Sequence, residues 1–360
     1  MKRLHLLSLI VTAAISLPAC KKEVPAKPTA TTAENAPFKE VNLACPGAPT
    51  VSGVFTTTGP ELEIAGRLSV SPEGKITVYY YFYNLVDFQP GPLSYNIASK
   101  TTAPAIARVV YGTNGLVESG KNIGPFKFRY NAPVDTDGNY ITAGDESNPG
   151  GVANTSYRTF ITKYDKNGNG IWKRYLSYCA SSRRGEFAAS IAFGPDGSVY
   201  AATHDNEIKK FSASGTYQGK SFYGEGLVNL YIDNSNNLYL CNNRFVQKIS
   251  SSGSPLWKTT QYGGNRLTVD SNGNVYIANG SALLTKLNGS GNFVWAIQTT
   301  PLSARTGIET RDLALDATGE NIYVAGRIEG KMMFNNQQSA IAEANGQNFG
   351  AFVVKIKQCL

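Results

Sequence analysis

Histidine is almost missing from this chain: 2 in 360 residues, His5 and His204. His5 falls in a stretch read below as an export leader, and the single imidazole that remains cannot build a His-rich metal site. No Cys-x-x-Cys pair, no phosphate-cradling glycine loop and no nucleophile elbow occurs, so the common redox, nucleotide and acyl-transfer machineries have no foothold. Sustained helical periodicity is also absent, which excludes an α/β plan. Charge is sparse, at 17% of residues. Of the 34 Lys and Arg, Lys2 and Arg3 belong to the leader, and the remaining 32 exceed the 26 Asp and Glu by 6. That excess forms no dense stripe, which argues against nucleic acid and leaves anionic envelope polymers or headgroups as the physically reasonable attraction.

What the chain has in abundance is short alternation broken by turn residues. The stretch from Arg266 to Gln298 holds four runs in which apolar or β-branched residues recur at every second position. Turn clusters interrupt it at Asp270-Ser-Asn-Gly-Asn274 and Asn288-Gly-Ser-Gly-Asn292. Period-two runs bounded by Gly, Asn and Asp read as hairpin strands, because those residues reach positive φ at little cost. The first turn recurs at Leu68–Gly74, Ala132–Gly138, Ile191–Gly197, Leu230–Asn236, Leu267–Gly273 and Leu313–Gly319, making six copies. Tyr200, Tyr239, Tyr276 and Tyr323 hold nearly one register after it, and each Trp, at 172, 257 and 295, sits four residues after the Gly of a second turn.

Four strands in a period of about 40 residues is the pattern of a propeller blade. One blade cannot bury both faces, whereas a closed ring of blades can. The expected fold is therefore all-β, a propeller of six four-stranded blades, with seven as the alternative count. The repeat resembles the bacterial SBBP repeat and, more loosely, the NHL repeat, with the consensus V-D-x-x-G-N-V-Y-V-x-G … K-h-D-x-x-G-N-h-x-W matched from about Arg67 to Lys357. That resemblance implies the architecture and leaves activity and blade number open. The final copy ends with Ala351–Lys357 as a third strand, with nothing left for a fourth. Apolar runs at Val51–Phe55 and Leu62–Ala65 precede the first turn. The N-terminal segment is expected to supply the missing outer strand and to remove an exposed edge.

Residues 1–19 read as a signal peptide: Lys2 and Arg3, an apolar stretch from Leu4 to Leu17, then small residues. Leu17-Pro-Ala-Cys20 resembles the lipobox of bacterial lipoproteins, which implies acylation of Cys20 and an anchor in the outer membrane of the cell envelope. The alternative is a plain secretory signal cleaved nearby. Residues 20–40, rich in Lys, Pro, Ala and Thr, bury too little to repay ordering and read as a flexible tether, with the propeller over 41–360. In an oxidising compartment Cys45 and Cys359 flank the proposed seam and are the disulfide candidate, while Cys179 and Cys241 read as unpaired.

Tight first-to-second and third-to-fourth turns put every long connection on the opposite face: 84–104, 144–158, 177–190, 299–311 and 327–350. Binding residues concentrate on such loops. Arg183, Arg184, Arg305, Arg311 and Arg327 fall there among Tyr157, Tyr178, Phe187 and Tyr262, a mixture suited to a protein or glycan partner. The rival to that binding surface is a solvated rim. An enzyme of the lactonase-like hydrolase or lyase kind would draw on Asp145, Glu146, Asp205 and Glu207 at the channel mouth, with or without a cation. Asp165–Gly170 begins like a calcium loop, yet Leu176 stands at the twelfth position where Glu is needed, so it reads as a hairpin. A basic residue recurs in the third strand at Lys163, Lys210, Lys248, Lys286 and Lys355. It reads as structural, with its stem on the Trp or its head on a turn. Val78–Tyr83 reads as core. No catalytic residue, metal or cofactor is assigned, and a monomer is expected.

Overall fold

The computed structural model describes residues 49–57, 59, 61–89, 93–99, 103–125, 133, 135, 137, 139–147, 157–179, 190–203, 207–222, 226, 229–279, 282–337, 341–344 and 349–358. The regular structure among them is entirely β, arranged as a six-bladed propeller. Strand β1 (Thr50–Thr56) belongs to the last blade. Blade 1 is β2 (Ile64–Val70), β3 (Ile76–Phe82), β6 (Ala105–Tyr111) and β7 (Val117–Pro125). A ribbon of β4 (Leu85–Asp87) and β5 (Asn96–Ala98) fills its middle connection. Blade 2 has β8 (Tyr140–Ser147), β9 (Tyr157–Tyr164) and β10 (Gly170–Cys179), and Ile141 donates to the Pro133 carbonyl where the first strand is expected. Blade 3 is β11 (Ser190–Phe193), β12 (Val199–Ala202), β13 (Glu207–Phe211) and β14 (Tyr217–Phe222). Blade 4 is β15 (Asn229–Ile232), β16 (Leu238–Asn242), β17 (Phe245–Ile249) and β18 (Pro255–Thr259). Blade 5 is β19 (Arg266–Val269), β20 (Val275–Ala278), β21 (Ala282–Leu287) and β22 (Phe293–Pro301).

Blade 6 closes the ring in the way the N-terminal apolar run led us to expect. Its strands are β23 (Gly307–Leu315), β24 (Asn321–Glu329), β27 (Phe349–Lys357) and then β1, whose Val54 opposes Val354. The connection from β24 to β27 is not the plain loop expected over 327–350. It carries β25 (Lys331–Phe334) and β26 (Ile341–Glu343), which extend blade 5 by pairing with the second half of β22. Met332, Phe334 and Ala342 bury there against Ile297 and Phe352, so the alternation of this segment explains its recruitment into a sheet.

The recurring turn letters have a physical role. Asp270 accepts from the amides of Asn272 and Asn274 at 2.9 Å each, from the Asn274 side-chain amide at 2.8 Å and from the Tyr276 hydroxyl at 2.9 Å. Gly273 supplies the φ of +79° that the turn requires. Asp233 with Asn237 and Tyr239 repeats the arrangement. Asp165 does so with Asn167 and Asn169, spending its oxygens on the hairpin. The third-strand lysines sit chiefly over the tyrosine directly across in the second strand: Lys210 on Tyr200 at 5.2 Å, Lys248 on Tyr239 at 4.8 Å and Lys286 on Tyr276 at 5.2 Å. Trp295 is farther from Lys286, at 5.9 Å.

Each blade buries its faces against its neighbours. Five apolar clusters straddle the seams between blades 6 and 1, 5 and 6, 2 and 3, 3 and 4, and 4 and 5. In the aromatic strand, Val78, Tyr80 and Phe82 lie wholly in the first of these. Tryptophan latches two seams. Trp172 donates to the Ala213 carbonyl of blade 3 at 3.0 Å, and Trp257 to the Gly289 carbonyl of blade 5 at 2.9 Å. Blade 6 splits its third and fourth strands between the two ends of the chain, and Gln358 takes over the tie. It donates to Tyr276 at 2.7 Å and to the Gly319 carbonyl at 2.5 Å, and accepts from Lys286 at 2.9 Å.

The latch predicts unequal costs at two glycines with similar backbone. A Cβ on Gly291, at φ +82°, would stand 2.8 Å from the Trp257 ring, whereas one on Gly273, at φ +79°, meets nothing closer than 3.9 Å. Chemical denaturation should find Gly291→Ala destabilised by about 2–4 kcal/mol and Gly273→Ala by about 1 kcal/mol. Equal losses would remove the ring contact from the account.

Candidate functional site

The first strands of successive blades approach one another around the axis: β11 with β15, β15 with β19, β19 with β23, and β23 with β2. On each, the residue just before the recurring apolar position occupies an equivalent place, giving a series of Ser190, Asn229, Arg266, Asp312 and Arg67 among the described residues. Three of these tie one blade to the next by accepting a backbone hydrogen bond. Ser190 Oγ accepts from the Leu230 amide at 3.1 Å, Asn229 Oδ1 from Leu267 at 2.9 Å, and Asp312 Oδ2 from Leu68 at 2.9 Å. A guanidinium has no acceptor, so Arg67 and Arg266 cannot perform this task.

Both arginines are placed by irregularities in the ladder or just ahead of it. The β2 register shifts between Ala65 and Arg67, and that of β23 between Thr310 and Asp312. Such bulges re-aim side chains. In β19 the Ala278 carbonyl opposite Arg266 accepts from the preceding Asn265 amide at 3.0 Å. Arg67, Arg266 and Asp312 keep partial solvent access while protein crowds them on every side, as residues lining a narrow channel must. Burial pulls both guanidinium pKa values down and pushes that of Asp312 up, against the attraction between them. Among the described residues, neither Arg67 nor Arg266 has a carboxylate within ion-pair distance. Arg67 Nη1, Arg266 Nε and Arg311 Nε are sealed from solvent and have no hydrogen-bond partner.

Arg311 and Arg327 were expected on loops, but both lie in strands, because β23 and β24 continue well past their expected ends through the bulge at Arg311. Glu309 holds the two together, 2.7 Å from Arg311 and 2.6 Å from Arg327. Arg305 is exposed in the connection between β22 and β23, and Tyr262 stacks on Phe293 at 5.5 Å. Of the candidate carboxylates, Glu146 is bound by Lys173 at 2.5 Å and by the Tyr175 hydroxyl at 2.7 Å. Glu207 is paired with Lys220 and Lys209, and the Lys220 contact holds its pKa down. Those two carboxylates sit on different blades, each tied to lysines of its own sheet. The backbones of Asp145 and Tyr178 run in β8 and β10, with their side chains outside the described residues, as is that of Cys179. Cys20, Cys45, Cys359, Arg183, Arg184 and Asp205 also lie outside them. Cys241 is a free, buried thiol, and burial pushes its pKa up to about 12.

No family and no curated protein matches the chain. Among solved structures it is similar to a protein of unknown function from Bacteroides caccae, at 10% identity, covering 66% of this chain and 93% of that chain, with a TM-score of 0.39. The chemistry of the site is therefore read from its own residues.

One further buried ionisable group lies at the seam of blades 6 and 1. Glu63 is 2% exposed, its amide donates to the Phe349 carbonyl at 3.1 Å, and its Oε1 has no partner. Burial raises its carboxyl from 4.5 to about 8. Between those values the folded chain keeps a proton that the unfolded chain releases, so stability falls as pH rises from 4.5 to 8 and levels off above. Urea midpoints measured at pH 5 and pH 8 should drop in the native protein and drop less in Glu63→Gln. Parallel drops in both would assign the pH dependence to other groups.

Proposed function

We propose that this chain is an envelope lipoprotein whose propeller serves as a binding or scaffolding module for a protein or glycan partner. The observation that carries the reading is the asymmetry of the ring's connections. Turns such as 71–75, 194–198, 233–237, 270–274 and 288–292 are five-residue hairpins closed by their own backbone, while the chain between β8 and β9, between β10 and β11 and between β24 and β27, which joins the opposite ends of the strands, is longer. A rigid ring with its variable length on one side is built to present that side. Arg305 stands exposed there, and Arg311, Arg327 and Glu309 form a charged group on the adjoining strands β23 and β24. The leader and Cys20, ahead of the segment at 20–40, would hold the ring near a membrane. The lactonase-like alternative needs converging carboxylates, and the separate engagement of Glu146 and Glu207 gives it no support.

Fractionation tests the anchor. In the native host the full chain should pellet with membranes, and Cys20→Ser should leave the majority of it in the soluble fraction. Crosslinking of intact cells tests the face. A discrete partner recovered with the native chain should be lost at least several-fold in the Arg305→Glu, Arg327→Glu double variant, which retains the ring. An unchanged crosslinking pattern would move the binding surface elsewhere.

A further inference from the structure

The axial series contains two residues that do not do what their equivalents do. Ser190, Asn229 and Asp312 each accept an amide from the neighbouring blade, and that bond is what the position supplies to the ring. At positions 67 and 266 a guanidinium stands instead. Among the described residues the Arg266 guanidinium makes one hydrogen bond, to the carbonyl of its own neighbour Asn265 at 2.7 Å. Arg67 donates to no acceptor among the described residues, although its Nη1 is shut off from solvent. Guanidinium groups buried without acceptors cost stability, so a ring selected only for rigidity would place Ser or Asn here.

The charges around them do not cancel. Arg67, Arg266, Arg311 and Arg327 face Asp312 and Glu309. Glu309 is saturated by Arg311 and Arg327, and Asp312 turns one oxygen to the Leu68 amide. Arg266 is near enough to lower the Arg67 pKa, Arg311 does the same to Arg266, and both Arg67 and Arg266 feel Asp312. The result is a local excess of positive charge, concentrated between two blades that meet the axis on either side of β23. A planar fork of donors is the group best matched to oxyanions, and two such forks on first strands flanking β23, in crowded and weakly screened surroundings, strengthen that match.

We infer that the axial channel binds a small free oxyanion of the phosphate type between Arg67 and Arg266, with Asp312 limiting how tightly it is held. The site lies among the first strands that approach one another around the axis, where a group fixed in a lipid surface does not reach, so the source is a solute. This site is centred on Arg67 and Arg266, which the reading of the long-loop face does not use, so its failure would leave that reading intact.

Titration calorimetry with inorganic phosphate, at constant ionic strength with chloride as filler, tests the site on the mature chain. The native protein should show saturable single-site binding. Arg67→Gln and Arg266→Gln should each weaken it at least tenfold, whereas Lys75→Gln, at an exposed turn, should leave it unchanged. Asp312→Asn keeps an acceptor for the Leu68 amide, removes the repelling charge and should tighten binding several-fold, which a purely structural cluster would not do. If either arginine variant fails to fold, the Asp312→Asn result and the native titration still decide. No saturable heat, or binding indifferent to both arginines, would overturn the site. Vesicles bearing phosphatidic acid should bind native and Arg67→Gln protein alike, and a dependence on Arg67 would overturn the free-solute assignment.

Discussion

Everything in the molecule depends on the antiparallel pairing of β1 with β27. Five seams can be buried by stacking blades in chain order, but the sixth sheet would end on an open third strand with its amides and carbonyls unmatched. By returning across nearly the whole chain to oppose Val54 to Val354, the N-terminal strand satisfies that edge and turns a stack into a ring. The register runs on through Phe55 opposite Val353, and Phe55 enters the cluster between blades 6 and 1. Closure and the last core cluster are thus made by the same residues.

A closed ring gives the axis its character. The first strands cannot separate, so side chains at equivalent places are forced toward one another whatever their charge. Where Ser190, Asn229 and Asp312 stand, the proximity becomes a blade-to-blade hydrogen bond. Where Arg67 and Arg266 stand, it becomes two cations that the surrounding blades hold in place, Arg67 with no acceptor among the described residues and Arg266 with the Asn265 carbonyl alone. Turn aspartates, cross-strand Lys–Tyr pairs and Trp latches at the periphery supply rigidity, and the axis spends part of it on an electrostatic strain that a ligand of opposite charge would relieve.

Much of the periphery was legible in the chain. Asp270, Gly273, Asn274 and Tyr276 recur because each satisfies a local demand of one hairpin, and local demands leave local spacing. The regular placement of Trp172 and Trp257 was visible too, but its target was not, since the Ala213 and Gly289 carbonyls belong to the next blade. The strand extensions at Arg311 and Arg327 were hidden by a bulge, which breaks the alternation that marks a strand. The pair β25 and β26 was hidden because its partner, β22, lies in a different repeat.

Alone, the sequence determined the all-β class and the repeat, it favoured six blades while leaving seven open, and it pointed to the N-terminal run as the closing strand. These follow from alternation and turn chemistry, which act over a few residues. Only the tertiary structure decided which blade each latch reaches, that Glu63 is buried at a seam, and that Arg67, Arg266 and Asp312 share an axis. Residues 67 and 312 lie at opposite ends of the chain, and their meeting is a consequence of closure, a long-range constraint that leaves no periodic trace.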